Sequence, residues 1–324
     1  MASTTYIDAL HGRKSRTFVD RLRRGDEVAY LITFASAVLI LVIVALIVIE
    51  LWTNSTATIK AFGWHFLTSS TWDPNSGNFG ALPFIYGTCV TSFLALLIAV
   101  PLGIGAAVFL AEMAPPQLSN LLTFMIELLA AVPSVIYGLL GIFILVPFIR
   151  DYLVPALSKT FGFLPIFQGD FYGVSFLSAG LVLSVMVVPF IVSVSREVLL
   201  AVPVEQREAA LALGATKWET TWQVVLPTAS TGIIGSVFLA LARALGETMA
   251  VTMVIGNTPK ISASLYSPGY SIAAVIANEF AEASGNLYIS SLIFLGLVLF
   301  ALTILINAVA RVMVLTTSRR SATS

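Results

Sequence analysis

Two ionisable residues in an otherwise apolar stretch, Arg243 and Glu247, carry the chemistry this sequence offers. Their i, i+4 spacing puts both side chains on one face if the stretch is a single helix. An arginine presents a planar fork of donors that suits a tetrahedral oxyanion, and a carboxylate beside it fixes the fork when no anion is there. A passing anion would compete for Arg243 and be released as Glu247 reclaimed it, giving a transient station rather than a trap. The same spacing also allows a plainer arrangement, an intrahelical ion pair that only neutralises itself. Thr248 adds a neutral hydroxyl donor one residue on. Glu127, just ahead of the Pro133-Ser134 pair, is a third such group and serves equally well as a structural partner for a basic or hydroxyl group. A charge at mid-bilayer costs roughly 2.5–3.5 kcal/mol, so each of these should face an interior cavity or a partner.

The elements that must position them are membrane helices. Hydrophobic residues make up 58% of the 324 residues and charged residues only 10%, with a mean hydropathy of +0.95. A water-soluble domain carries roughly 25% charged residues, so the composition predicts an all-α, polytopic membrane bundle. Six spans are expected: Tyr30–Leu51, Leu82–Leu110, Leu118–Phe148, Phe176–Leu200, Thr228–Gly256 and Tyr288–Leu315. Pro101, Pro133, Pro147 and Pro189 fall inside or near the ends of these spans. Arg243 lies about 24 Å beyond Pro227 at 1.5 Å per residue, near or somewhat past mid-membrane. The lone Cys89 excludes a disulfide framework and a thiolate metal site, and no metal ligands are expected.

Net charge is zero, yet the charges are unevenly placed. Twelve Lys and Arg fall in the amino-terminal segment, the loop between spans four and five, and the tail, against four in the other loops. Both termini are therefore expected in the cytoplasm, in a chain resident in the plasma membrane. The segments Trp52–Ala81, Ile149–Ser175 and Asn257–Leu287 would lie outside, and Phe161-Gly-Phe-Leu-Pro-Ile-Phe167 is apolar enough to pack as an interfacial cap.

One polar island interrupts the apolar pattern. Pro203, Glu205 and Glu208 suit the first turn of a helix, and Gly214 suits the position just past its end. A second short helix, Thr216–Val225, would lead into Leu226-Pro227, with Pro227 opening span five. The pattern reads Glu208-Ala209-Ala210, three residues, Gly214, nine residues, then Val224-x-Leu226-Pro227. It resembles the signature loop of the permease subunits of ATP-binding-cassette importers, with Val224 in place of the usual Ile. The stretch Ala242–Val251, with Glu127–Ser134 and Tyr137-Gly138, is similar to phosphate-specific members, and more to their C-type than their A-type subunit.

That resemblance, over residues 82 to 312 or so, implies a type I importer permease fold and the translocation of inorganic phosphate into the cytoplasm of a prokaryote. It implies that Glu208, Ala209, Ala210 and Gly214 contact an ATPase, and that Arg243 and Glu247 attend phosphate movement, with Thr248 and Glu127 as further candidates. The implied organisation is a basic segment (1–29), a first span and outer loop (30–81), a permease core (82–315) containing the coupling loop (201–227), and a tail (316–324). Implied partners are a homologous permease subunit, two ATP-binding subunits, an extracytoplasmic phosphate-binding protein and membrane lipid, with no nucleic acid. None of the five Lys residues follows a Gly, so no P-loop is present. No cofactor is expected in this chain; ATP and Mg would be bound by the partner ATPase, and this chain would be no enzyme. An ion-coupled secondary anion transporter is the alternative. It should show inverted repeats, none of which is seen, and it leaves the island unexplained.

Overall fold

The computed structural model describes residues 26–321, with side chains for 28–312. The basic residues before position 25 and the side chains of Arg319 and Arg320, on which the expected orientation partly rests, lie outside the described residues. Two compact units part at Thr53–Asn54. The first holds α1, Asp26–Asn54. Within it the hydroxyls of Thr33 and Ser36 donate to the carbonyls of Ala29 (2.7 Å) and Ile32 (2.8 Å), so neither polar group is left bare in an apolar helix.

The second unit is built on α4 (Leu82–Met113), α6 (Ser134–Phe161), α7 (Phe176–Leu200), α9 (Lys217–Leu245) and α12 (Asn286–Ser321). Shorter helices complete it: α2 (Thr56–Phe62), α3 (His65–Thr68), α5 (Pro116–Ala130), α8 (Val204–Ala212), α10 (Met249–Ile255) and α11 (Ile272–Glu279). With α1, six helices are long and apolar enough to cross a membrane, as expected. Among the described residues the only strand-like pairing is an isolated bridge between Asp73 and Asn78.

α7 is the central element: two thirds of its apolar window is buried, against one third or less for any other span. Lipid offers no hydrophobic drive for helix association, so small residues and hydrogen bonds must bring helices together. A Cβ on Gly180 of α7 would stand 2.5 Å from Leu94 Cδ2 of α4, so only glycine permits this approach. The hydroxyls of Ser195 (α7) and Ser236 (α9) lie 2.7 Å apart and fully buried. Ser236 also donates to the carbonyl of Ile233, so the shared proton comes from Ser195. The first N–H groups of α7 have no partner within the helix. Those of Ser175, Phe176 and Leu177 bond the carbonyls of Val254, Ser267 and Leu265, which ties α10 and the segment after it to the start of α7.

The third expected span is corrected. Leu118–Phe148 is not one helix: α5 ends at Ala130, and α6 starts at Ser134 and runs on to Phe161. Pro133 has no N–H and disfavours helical geometry in Val132, so the chain breaks there. Tyr137 donates its phenol to the Leu129 carbonyl (2.7 Å), satisfying a group the break frees. Within α6, single π turns at Gly141–Leu145 and Ile149–Leu153 precede Pro147 and Pro155. Each accommodates a proline without ending the helix. The apolar segment at 161–167 is only partly covered: Phe163 is 75% exposed, while Phe161 and Phe167 lie 6.0 Å apart and Phe167 reaches Tyr266 at 6.3 Å.

A second cluster joins the segment before α4 to α11 and α12. Phe66, Phe79, Phe84 and Tyr270 are buried beside Trp72. One carboxylate oxygen of Glu279 accepts from both Trp72 Nε1 (2.8 Å) and Tyr288 OH (2.7 Å).

Candidate functional site

The fifth span is also corrected. α9 ends at Leu245, Gly246 caps it, and α10 begins only after Thr248. Arg243 therefore sits in the last turn of one helix and Glu247 in the break beyond it, so the shared helical face does not form. Instead, Glu247 Oε1 accepts from the Ala250 backbone N–H (3.2 Å), satisfying one first-turn donor of α10. Thr248 Oγ1 donates to the Gly246 carbonyl (3.3 Å), and Thr252 Oγ1 donates to the Thr248 carbonyl (2.7 Å).

Arg243 is left exposed. Among the described residues, ion pairs join Arg150 to Asp151 and Arg207 to Glu112, and none involves Arg243. Its Cζ stands 6.0 Å from the ring centroid of Phe190 on α7, within reach of a cation–π contact. The guanidinium thus lies against an aromatic face and makes no hydrogen bond or ion pair among the described residues. Glu127 lies on the exposed side of α5 and makes no hydrogen bond or ion pair among the described residues. Nothing brings it to Arg243. No group of three His, Cys, Asp or Glu side chains suited to a metal ion occurs among the described residues.

The polar island forms the expected helix and glycine turn. α8 buries none of its residues; Glu208 and Ala209 are exposed and Ala210 is half-buried. Gly214 has φ +90°. Its N–H bonds the Leu211 carbonyl (3.0 Å), and the Ala215 N–H bonds the Ala210 carbonyl (3.1 Å). This paired closure at a left-handed glycine is the Schellman motif. Leu213, at 90% exposed, stands at the tip as an apolar knob with no described residue over it.

The second helix of the island is not separate, a further correction. Thr216 and Glu219 form a reciprocal capping box at the start of α9, with Thr216 N–H to Glu219 Oε2 at 2.8 Å. The helix then runs without interruption past Pro227, which lies inside it rather than at its start, because a π turn at Thr221–Val225 precedes the proline. The elbow and span five are one rod.

Sequence reasoning missed how the elbow is fastened. Arg207, counted there only as an orienting charge, donates from Nη1 to the Val202 carbonyl (2.5 Å). Its Nη2 donates to the Leu199 carbonyl (2.7 Å) and to Glu112 Oε1 (2.9 Å). The two side chains are only 18% and 11% exposed, so this pair is well shielded from water.

Residues 99–319 match the family described as "Binding-protein-dependent transport system inner membrane component". The chain belongs to this family: it is a multi-pass inner-membrane permease component of an ABC transporter, with the type I importer fold. It is similar to the phosphate transport system permease protein PstC of Mesorhizobium japonicum, 46% identical over 94% of each chain. The protein of the same description from Xylella fastidiosa is 48% identical over 90% of each chain. Among solved structures, a chain of the methionine ABC transporter MetNI in inward-facing conformations aligns with a TM-score of 0.53 and 17% identity. That alignment covers 72% of this chain and 94% of the other, and at such identity it speaks for the fold alone.

Proposed function

We propose that this chain is the membrane-spanning permease subunit of an ATP-driven importer that moves inorganic phosphate into the cytoplasm. The observation that carries the reading is Arg243, an exposed guanidinium at the break in span five with no carboxylate partner among the described residues. A tetrahedral oxyanion fits that fork, and the names of the similar PstC proteins point to phosphate. Thr248, at the same break, adds a neutral hydroxyl to the pathway, one that an arriving anion would draw away from the Gly246 carbonyl. Glu247 braces the break, and Glu127 stays a peripheral candidate.

In this reading the elbow faces the cytoplasm with both termini, in accord with the concentration of Lys and Arg on that side. Glu208, Ala209, Ala210 and Gly214 meet one of two ATP-binding subunits, which carry the ATP and Mg. A homologous permease subunit completes the bundle, and an extracytoplasmic phosphate-binding protein delivers the anion.

Phosphate uptake into membrane vesicles bearing the whole complex tests this. Uptake should collapse when the partner ATPase is catalytically dead and should survive a proton uncoupler. Uptake that withstands loss of the ATPase would refute the proposal.

A further inference from the structure

We propose that Arg207 and Glu112 form the link through which displacement of the elbow reaches the packed core. The inference rests on the reading that the elbow meets an ATPase. α8 has no buried residue, so packing alone does not fasten it to the bundle. Two of its side chains reach neighbouring spans. Gln206 Oε1 lies 3.2 Å from Thr228 Oγ1 of α9, whose proton goes first to the Val224 carbonyl (2.7 Å), and that span is already continuous with the elbow. Arg207 alone reaches the other two. It holds the Leu199 carbonyl at the end of α7, the Val202 carbonyl just past it, and the Glu112 carboxylate on α4, three bonds from one planar group.

The geometry sets what this link transmits. The last carbonyls of α7 lack helical partners and carry partial negative charge, and a cation there is favourable. Glu112 lies in a π turn, Phe109–Met113, at the very end of α4. The guanidinium thus sits where α4 and α7, the most intimately packed pair of helices, both end. Pushing α8 moves these two ends together. A cation without a fork, or a fork without its carboxylate, lets α8 shift while α4 stays behind. Arg207 and Glu112 are positioning residues: neither reaches Arg243, and neither is exposed on the face offered by Leu213 and Glu208.

The test uses the complete complex, with its partner permease, ATPases and binding protein, in proteoliposomes supplied with phosphate and ATP. The quantity read is ATP hydrolysed per phosphate transported, so differences in assembly cancel. Glu112→Gln and Arg207→Lys should each raise that ratio by at least about threefold. The double variant Arg207→Gln/Glu112→Gln should raise it no further than Arg207→Gln alone, because each change removes the same pair. An unchanged ratio in the single variants overturns the proposal, whether or not both rates fall, and so does a double variant equal to the product of the singles. If the unsubstituted complex itself transports without hydrolysis, it is the reading of the elbow that fails and not the link.

Discussion

The carboxylate of Glu247 accepts a hydrogen bond from the backbone N–H of Ala250 at 3.2 Å and leaves Arg243 unneutralised. The two charges that look like a pair in sequence are therefore placed differently, one bracing a helix start and the other exposed beside Phe190.

Substitutions at the two positions should separate accordingly. Arg243→Gln should abolish phosphate uptake while the complex still co-purifies, since a neutral amide keeps donors but loses the charge that draws an oxyanion. Glu247→Gln keeps an acceptor for the Ala250 N–H and should retain a substantial share of uptake. Glu247→Ala loses the acceptor, at a cost of about 1 kcal/mol at that helix start, and should transport markedly less. Equal loss in both Glu247 variants would mean that its charge is what transport requires.

Gly214 has open space around it, so a larger residue meets no atom there, yet its φ of +90° is one that side chains with a Cβ rarely adopt. Gly214→Val should cost about 1–3 kcal/mol in the turn and reduce recovery of the ATPase with the permease. Gly180→Val should instead lower the thermal stability of the isolated chain in detergent, because there the obstacle is Leu94. Pull-down and melting measurements together read the two effects.

Ser195→Ala removes the donor to Ser236 but leaves Ser236 bonded to the Ile233 carbonyl. Interhelical bonds of this kind contribute about 0.6 kcal/mol on average. The variant should melt slightly lower, and Ser195→Ala/Ser236→Ala little lower still. A large additional drop in the double variant would contradict the assignment of the shared proton.

Burial pushes the phenol of Tyr270 up to about 12, with the nearby Glu279 adding to the rise and the bond from Asn278 opposing it. The folded state then keeps a proton that an unfolded tyrosine gives up near 10. The resulting stability is present below that pH and is lost as pH climbs through the folded value. Tyrosinate absorbance should show late-titrating phenols, with one fewer in Tyr270→Phe.

Much of this architecture can be read from residue order, and the exceptions have local causes. Phe176–Leu200 was placed to the residue because a long apolar run starts directly after Ser175, whose hydroxyl accepts from the Ser178 N–H. The third and fifth spans were misplaced because hydropathy is blind to backbone geometry: Pro133 and Gly246 interrupt helices without making the sequence more polar. Gly214 was legible because a left-handed cap favours one residue type. Arg207 and Glu112 stand 95 positions apart, and no spacing rule joins them.

The interruption at Gly246–Thr248 divides span five into two pieces. Below it, α9 is one rod down to the elbow. Above it, the carbonyls of Val254 and Ile255 are bound by the N–H groups of Ser175 and Gly269 (3.0 and 2.9 Å), which stitch the upper piece to the rim. The two pieces of span five are thus anchored to different parts of the bundle, and Arg243 stands at the end of the piece that carries the elbow.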